Sequence, residues 1–131
     1  MNGFSPNPSS PCILVVDDSE DILKLLNTAL SQAGFVVSLA RNGREALPLL
    51  SANSGKSINL VVSDIHMPEM TGVELLNEIK RLHSHIPIIL ITGTPGTVSR
   101  EEALKLGAVD LLMKPLRVSV LIALINKTLS A

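Results

Sequence analysis

The chain has 131 residues, 46% of them hydrophobic, with 11 Lys and Arg against 12 Asp and Glu and a formal net charge of -1. That length supports one domain with one sizeable core, and that hydrophobicity excludes a disordered chain. The even charge excludes binding to nucleic acid or an anionic membrane through bulk electrostatics.

Residues 1–10 hold Asn, Ser, Gly and Pro without any period, and a disordered tail is expected there. Residues 11–131 read as the folded domain. The only aromatic residues are Phe4 and Phe35, so platforms for stacking bases are missing and no direct contact with nucleic acid is expected. No apolar run reaches the length of a membrane span. The first basic residue is Lys24, which leaves the N-terminus without the charged leader of a secretory signal. The single Cys12 lies in an apolar run and reads as a buried thiol in a reducing compartment. A cytoplasmic protein with no membrane attachment is therefore expected.

Cys12 to Val16 is a continuous apolar run, the pattern of a buried strand, and it ends in Asp17-Asp18. Ser19 can cap a helix whose first turn carries Glu20 and Asp21. Ile22, Leu25, Leu26, Ala29 and Ala33 give that helix an apolar face, and Gly34 closes it. Phe35 to Ala40 is a second strand. Asn42-Gly43 turns into a helix through Ala46, Leu47 and Leu50. Pro48 interrupts it, and an interior proline costs about 3 kcal/mol, so a kinked or short helix is expected. Ser51 to Ser57 is a polar loop.

Leu60 to Gly72 reads LVVSDIHMPEMTG. A β-branched strand ends at Asp64, Pro68 forbids regular structure, and Thr71 with Glu74 makes the capping box of a new helix. Val73, Leu76, Ile79 and Leu82 form its apolar face. Pro87 to Thr92 is a fourth strand, followed by a loop, Gly93 to Thr97. Ser99 and Glu102 repeat the capping box before a short helix that ends at Gly107. Val109 to Met113 is a fifth strand, stopped by Lys114-Pro115. Val118, Leu121, Ile122, Ile125 and Leu129 face one side of a last helix that lacks a good N-cap. Five alternating strands and helices imply a doubly wound parallel α/β sheet with helices on both faces, joined by right-handed crossovers.

In a parallel sheet every strand ends on the same edge. Asp17, Asp18, Asp64, Thr92 and Lys114 therefore share that edge, where ligands bind in open α/β sheets. Each has a plainer reading, as a helix cap, a strand-end hydroxyl or a solvated lysine. The acids fit that reading poorly. Two carboxylates about 5 Å apart repel by about 3 kcal/mol at an effective dielectric of about 20. Such crowding points to a cation, and hard oxygen donors in small number favour Mg²⁺.

These residues resemble the receiver domain of two-component response regulators. The resemblance covers Pro11 to Ala131. It rests on Asp17-Asp18, on the D-x-x-M-P-x-x-x-G pattern from Asp64 to Gly72, on Thr92 at a strand end and on Lys114-Pro115. It implies the flavodoxin-like strand order 2-1-3-4-5. It implies that Asp64 is the phosphoacceptor, attacking a phosphohistidine of a histidine kinase or a histidine phosphotransfer domain. Asp18, Asp64 and the His66 backbone carbonyl would ligate Mg²⁺, with Asp17 acting through water. Thr92 and Lys114 would contact the phosphoryl oxygens, and Lys114-Pro115 would be cis. Thr92 and the residue at position 111 would form the switch. A stand-alone receiver is expected, since no output domain follows, and it would signal through its surface to a downstream protein.

Three positions depart from the family pattern. Leu111 stands where Tyr or Phe is usual, Gly93 where Ala is usual, and His66 is an uncommon side chain at its place. Other readings fit less well. An interaction module that ignores phosphate would not need the full acidic set. An aspartyl-phosphate phosphatase would want an Asp-Gly-Thr-like turn after the first strand. A flavin carrier would have a phosphate loop there, and Asp17-Asp18 would repel the phosphate.

Overall fold

Five apolar runs become five parallel strands, each followed by a helix. The computed structural model describes residues 10–51, 57–94 and 96–130. All of the expected tail except Ser10 lies outside the described residues, as do 52–56 of the polar loop. The elements are β1 (Cys12–Val16), α1 (Glu20–Gln32), β2 (Val36–Ala40), α2 (Gly43–Ser51) and β3 (Leu60–Asp64), then α3 (Gly72–Leu82), β4 (Ile88–Thr92), α4 (Arg100–Lys105), β5 (Asp110–Met113) and α5 (Val118–Ser130). The strand order is β2-β1-β3-β4-β5, and every pairing is parallel.

Every residue of β1, β3 and β4 is buried. That is expected of strands covered on both faces, because alternate side chains point to opposite layers. On one face Ile13, Val15, Leu60, Val62, Ile89 and Ile91 pack under α1 and α5. On the other, Leu14, Val16, Val61, Ile88 and Leu90 pack under α2, α3 and α4.

Helix starts follow the side chains read as caps. Ser19 accepts from the Ile22 N–H, and Asn42 Oδ1 accepts from the Glu45 N–H. Both capping boxes, Thr71 with Glu74 and Ser99 with Glu102, are complete. Gly34, at φ +97°, follows α1 as expected. The helix faces differ in detail. α1 buries Leu23, Leu26 and Leu30, while Leu25 and Ala33 are exposed. α3 buries Leu75 as well as Leu76 and Ile79, and Leu82 is exposed. Each helix carries two overlapping apolar stripes, and only the angle of docking on the sheet selects between them. Pro48 sits inside the nine-residue α2 on its exposed side.

The sheet ends where α3 begins, and the two meet at very close range. The Gly72 N–H donates to the Ile65 carbonyl at 2.8 Å. A Cβ on Gly72 would strike the Asp64 carbonyl oxygen and lie 2.8 Å from Ile65 Cα. Both obstacles are backbone and cannot step aside. By contrast, a Cβ on Gly93 would make ordinary contacts with the Lys114 side chain, 3.5 Å at the nearest. Gly72→Ala should therefore cost about 2–3 kcal/mol by overpacking. Gly93→Ala should gain about 0.5 kcal/mol by restricting the unfolded chain. Urea midpoints of the two variants check the contrast.

Candidate functional site

The registers place the strand ends side by side. Val16 pairs with Ser63, Asp64 with Ile91, and Thr92 with Met113. The residues just beyond these pairs therefore converge at one edge. Asp17, Asp64 and Thr92 are buried there, while Asp18 is exposed.

Asp17 uses its two oxygens differently. Oδ1 accepts from the Ser19 N–H at 2.8 Å, a local turn that leads into α1. Oδ2 is buried and accepts no aligned hydrogen bond among the described residues. It lies 3.1 Å from Lys114 Nζ, a contact that is ionic rather than directional. The same ammonium lies 3.4 Å from Asp64 Oδ2. Lys114 thus bridges two carboxylates, with its side chain 24% exposed. The Lys114-Pro115 bond is cis, as the resemblance implies.

Burial pushes the Asp64 pKa up, and the neighbouring Asp17 charge pushes it further. Lys114 and the hydrogen bond from the His66 backbone N–H pull it back only in part. Burial also works against the charge on Lys114, but Asp17 and Asp64 outweigh it and hold the ammonium pKa above its ordinary value.

Carboxylate oxygens of Asp17, Asp18 and Asp64 all lie within 4.8 Å of one another. At that spacing, and at an effective dielectric of about 20, each pair of charges repels by about 3 kcal/mol. The donor set is entirely hard oxygen, and one buried oxygen lacks a hydrogen-bond donor. These residues fit a hard divalent cation with few protein ligands.

The remaining site residues lie around this cluster. The Thr92 hydroxyl donates to the Thr94 carbonyl at 3.2 Å and accepts from the Thr94 N–H at 3.1 Å. It is folded into its own loop. Leu111 is buried in the core layer under α2, α3 and α4. The His66 side chain is exposed, and its peptide is the part that meets Asp64. Sequence reasoning missed Ser63, which is fully buried and donates from Oγ to the Asp64 carbonyl at 2.9 Å. A lone polar residue inside a β-branched run was the available signal.

Residues 13–126 match the family model for the response regulator receiver domain. The chain belongs to this family. It is 39% identical over 117 residues to the transcriptional regulatory protein CpxR homolog of Haemophilus influenzae, covering 89% of this chain and 49% of that protein. It is 40% identical over 117 residues to the transcriptional regulatory protein FixJ of Bradyrhizobium diazoefficiens, covering 89% of this chain and 56% of that protein. Across these and similar curated relatives, the receiver domain spans between 23% and 56% of their length. Among solved structures, a receiver domain protein from Clostridium thermocellum superimposes with a TM-score of 0.84 at 32% identity, covering 92% of this chain and 94% of that one. A CheY-like receiver from Methanospirillum hungatei gives 0.83 at 30% identity, covering 93% and 95%. Receiver domains of this family are phosphoacceptors, and no helix among the described residues of this one is long and apolar enough to cross a membrane.

The raised Asp64 pKa sets a pH dependence. Below about pH 3 Asp64 is protonated in folded and unfolded chains alike and carries no penalty. As pH rises through the folded-state value, Asp64 must ionise beside Asp17 and the fold loses stability. Asp64→Asn should therefore stabilise the metal-free protein at pH 7 by roughly 1 kcal/mol, because a neutral side chain escapes the cost of burying a charge and the Asp17 repulsion, less the Lys114 attraction it gives up. That gain should vanish toward pH 3. Thermal melts of both proteins across pH 3 to 7 check it.

Proposed function

We propose that this receiver domain, residues 11–131, takes a phosphoryl group onto Asp64 from a phosphohistidine donor in a Mg²⁺-dependent reaction and signals by a change of surface. The observation that carries this reading is the buried Asp64 carboxylate, flanked by two further acids and bridged to Asp17 by Lys114. The donor would be a histidine kinase or a histidine phosphotransfer domain. The readout would be a cytoplasmic protein partner engaged through the surface of this domain.

An Asp64 oxygen forms the new P–O bond as the P–N bond to the donor imidazole breaks, and the imidazole keeps that electron pair and takes up a proton. Such transfers need alignment and charge neutralisation more than covalent assistance. When bound by Asp18, Asp64 and the His66 carbonyl, with Asp17 acting through water, Mg²⁺ would neutralise charge on the phosphoryl oxygens. Lys114 already lies against Asp64 and can follow the charge onto a phosphoryl oxygen. Thr92 can donate its hydroxyl to another after releasing the Thr94 carbonyl. Water attack on the acyl phosphate would return the domain to its resting state, along a path beside His66 and Thr94.

With acetyl phosphate and Mg²⁺, intact mass should show one phosphoryl group on the parent and none on Asp64→Ala. EDTA, Asp18→Ala and Lys114→Ala should each lower labelling at least about ten-fold, since each removes charge neutralisation of the kind typically worth 2 kcal/mol or more. Labelling of Asp64→Ala at the parent level would sink the assignment.

The switch should centre on the loop rather than on β5. Thr92 must exchange partners, but Leu111 lacks the ring and phenol that hold distinct inward and outward states. With beryllofluoride as phosphoryl mimic, NMR shifts should be large at Thr92 and residues 93–97 and modest at Leu111. Leu111→Tyr should restore a large response at position 111. An equal reorientation in parent and variant would contradict this.

A further inference from the structure

The loop between β3 and α3 holds a second feature. The Met70 N–H donates to the Pro68 carbonyl at 2.8 Å, and Glu69 between them has φ +70°. This is a three-residue turn of the rare, strained hand, formed by a residue with a side chain. Such backbone persists only where its surroundings hold it.

What holds it is the first turn of α2. Glu69 Oε1 pairs with Arg44 Nε at 3.0 Å. The next residue, Met70, lies over the preceding one, Gly43. A Cβ on Gly43 would strike Met70 Sδ and would lie 2.9 Å from Cγ and 3.1 Å from Cβ. A change of χ1 can carry Sδ and Cγ away, but Met70 Cβ is fixed to the backbone, and at 3.1 Å the loop itself must still give by a few tenths of an ångström. Gly43 is buried and its φ is not positive, so space and not backbone freedom explains the glycine. Two consecutive residues of α2 thus grip two consecutive residues of the loop, one by packing and one by charge. At its other end the same loop buries Met67 and is tied to the sheet where the Ile65 N–H donates to the Ile91 carbonyl at 2.9 Å, so the His66 peptide lies between this anchor beside Asp64 and the turn at Glu69.

We propose that Gly43 and Arg44 are positioning residues for the chemistry at Asp64: through Met70 and Glu69 they set where the His66 peptide lies beside the carboxylate cluster. The inference rests on the phosphoacceptor reading for its consequence but not for its geometry. Packing should outweigh charge, because both partners of the ion pair are exposed to solvent.

The test uses Gly43→Ala, the double variant Gly43→Ala with Met70→Ala, Arg44→Glu, and the charge swap Arg44→Glu with Glu69→Arg. Leu129→Ala, half-buried in α5 on the opposite face, serves as a destabilised control. Two quantities are read: the His66 amide shift in metal-free protein, and the Mg²⁺ concentration giving half-maximal labelling by acetyl phosphate. Gly43→Ala should displace the His66 amide and raise that concentration at least three-fold. Adding Met70→Ala makes room and should bring both back to within two-fold of the parent. Arg44→Glu should shift the Mg²⁺ midpoint about two-fold, reversed by the swap. Leu129→Ala should lower Tm and move neither. The proposal is overturned if Gly43→Ala leaves the His66 amide in place, if Met70→Ala does not restore it, or if the control moves it equally. If the parent itself takes no phosphoryl group, the phosphoacceptor reading fails, and the latch stands or falls on the His66 amide alone.

Discussion

The ammonium of Lys114 set between Asp17 and Asp64 is the contact on which the edge of this sheet depends. Parallel pairing forces β1, β3 and β4 to end together, and it brings Asp17, Asp64 and Thr92 with them. Two buried carboxylates so close repel each other and favour a more open fold. Lys114 and the Ser19 N–H offset part of that repulsion, yet burial first and the Asp17 charge second still hold the Asp64 pKa above its ordinary value. The remainder is a standing preference for added positive charge. A site with no residual repulsion would have little reason to bind a cation, and a site without Lys114 would have difficulty staying closed.

Rigidity of the backbone beneath the acids makes that charge arrangement usable. Asp64 ends a strand buried from end to end, and its own carbonyl is held by the Ser63 hydroxyl. The start of α3 presses on it so closely that only glycine fits at position 72. The carboxylate therefore leaves a fixed support, while the Thr92 hydroxyl, at the very end of β4, is bonded only into the loop that follows. Central strands supply precision, and the exposed residues Gly93 and Thr94 that follow β4 supply freedom.

The alternation of elements, the caps and the identity of the acids were legible in the sequence because each rests on local chemistry. Ser19, Thr71 and Ser99 cap where their spacing says they should, and runs such as Ile88-Ile89-Leu90-Ile91 leave little choice but a buried strand. Helix faces were less legible. Leu25 and Leu23 are equally apolar, and only packing against the sheet decides that Leu23 turns inward. The strand order came from resemblance, since nothing local tells β3 to lie beside β1. Partnerships across loops were not legible at all. Gly43 read as a turn residue, and nothing in the sequence singled out Glu69 or Met70, because what joins them is proximity between segments that sequence distance hides.

The proposed switch depends on how little Thr92 must give up. In the resting arrangement its hydroxyl donates to a neutral carbonyl two residues away, a bond with a net worth of about 1 kcal/mol. Donating to a charged phosphoryl oxygen would be worth about twice that. The exchange therefore favours the phosphorylated arrangement even before any other group moves. It leaves the Thr94 carbonyl and N–H without their partner, but Thr94 is exposed and water can replace both bonds at small cost. Had that residue been buried, the abandoned carbonyl would have consumed the gain. An exposed loop after a buried threonine thus lets a single hydroxyl turn on its own, and a leucine at position 111 is then no obstacle, because the exchange draws on the loop and not on the packing of β5.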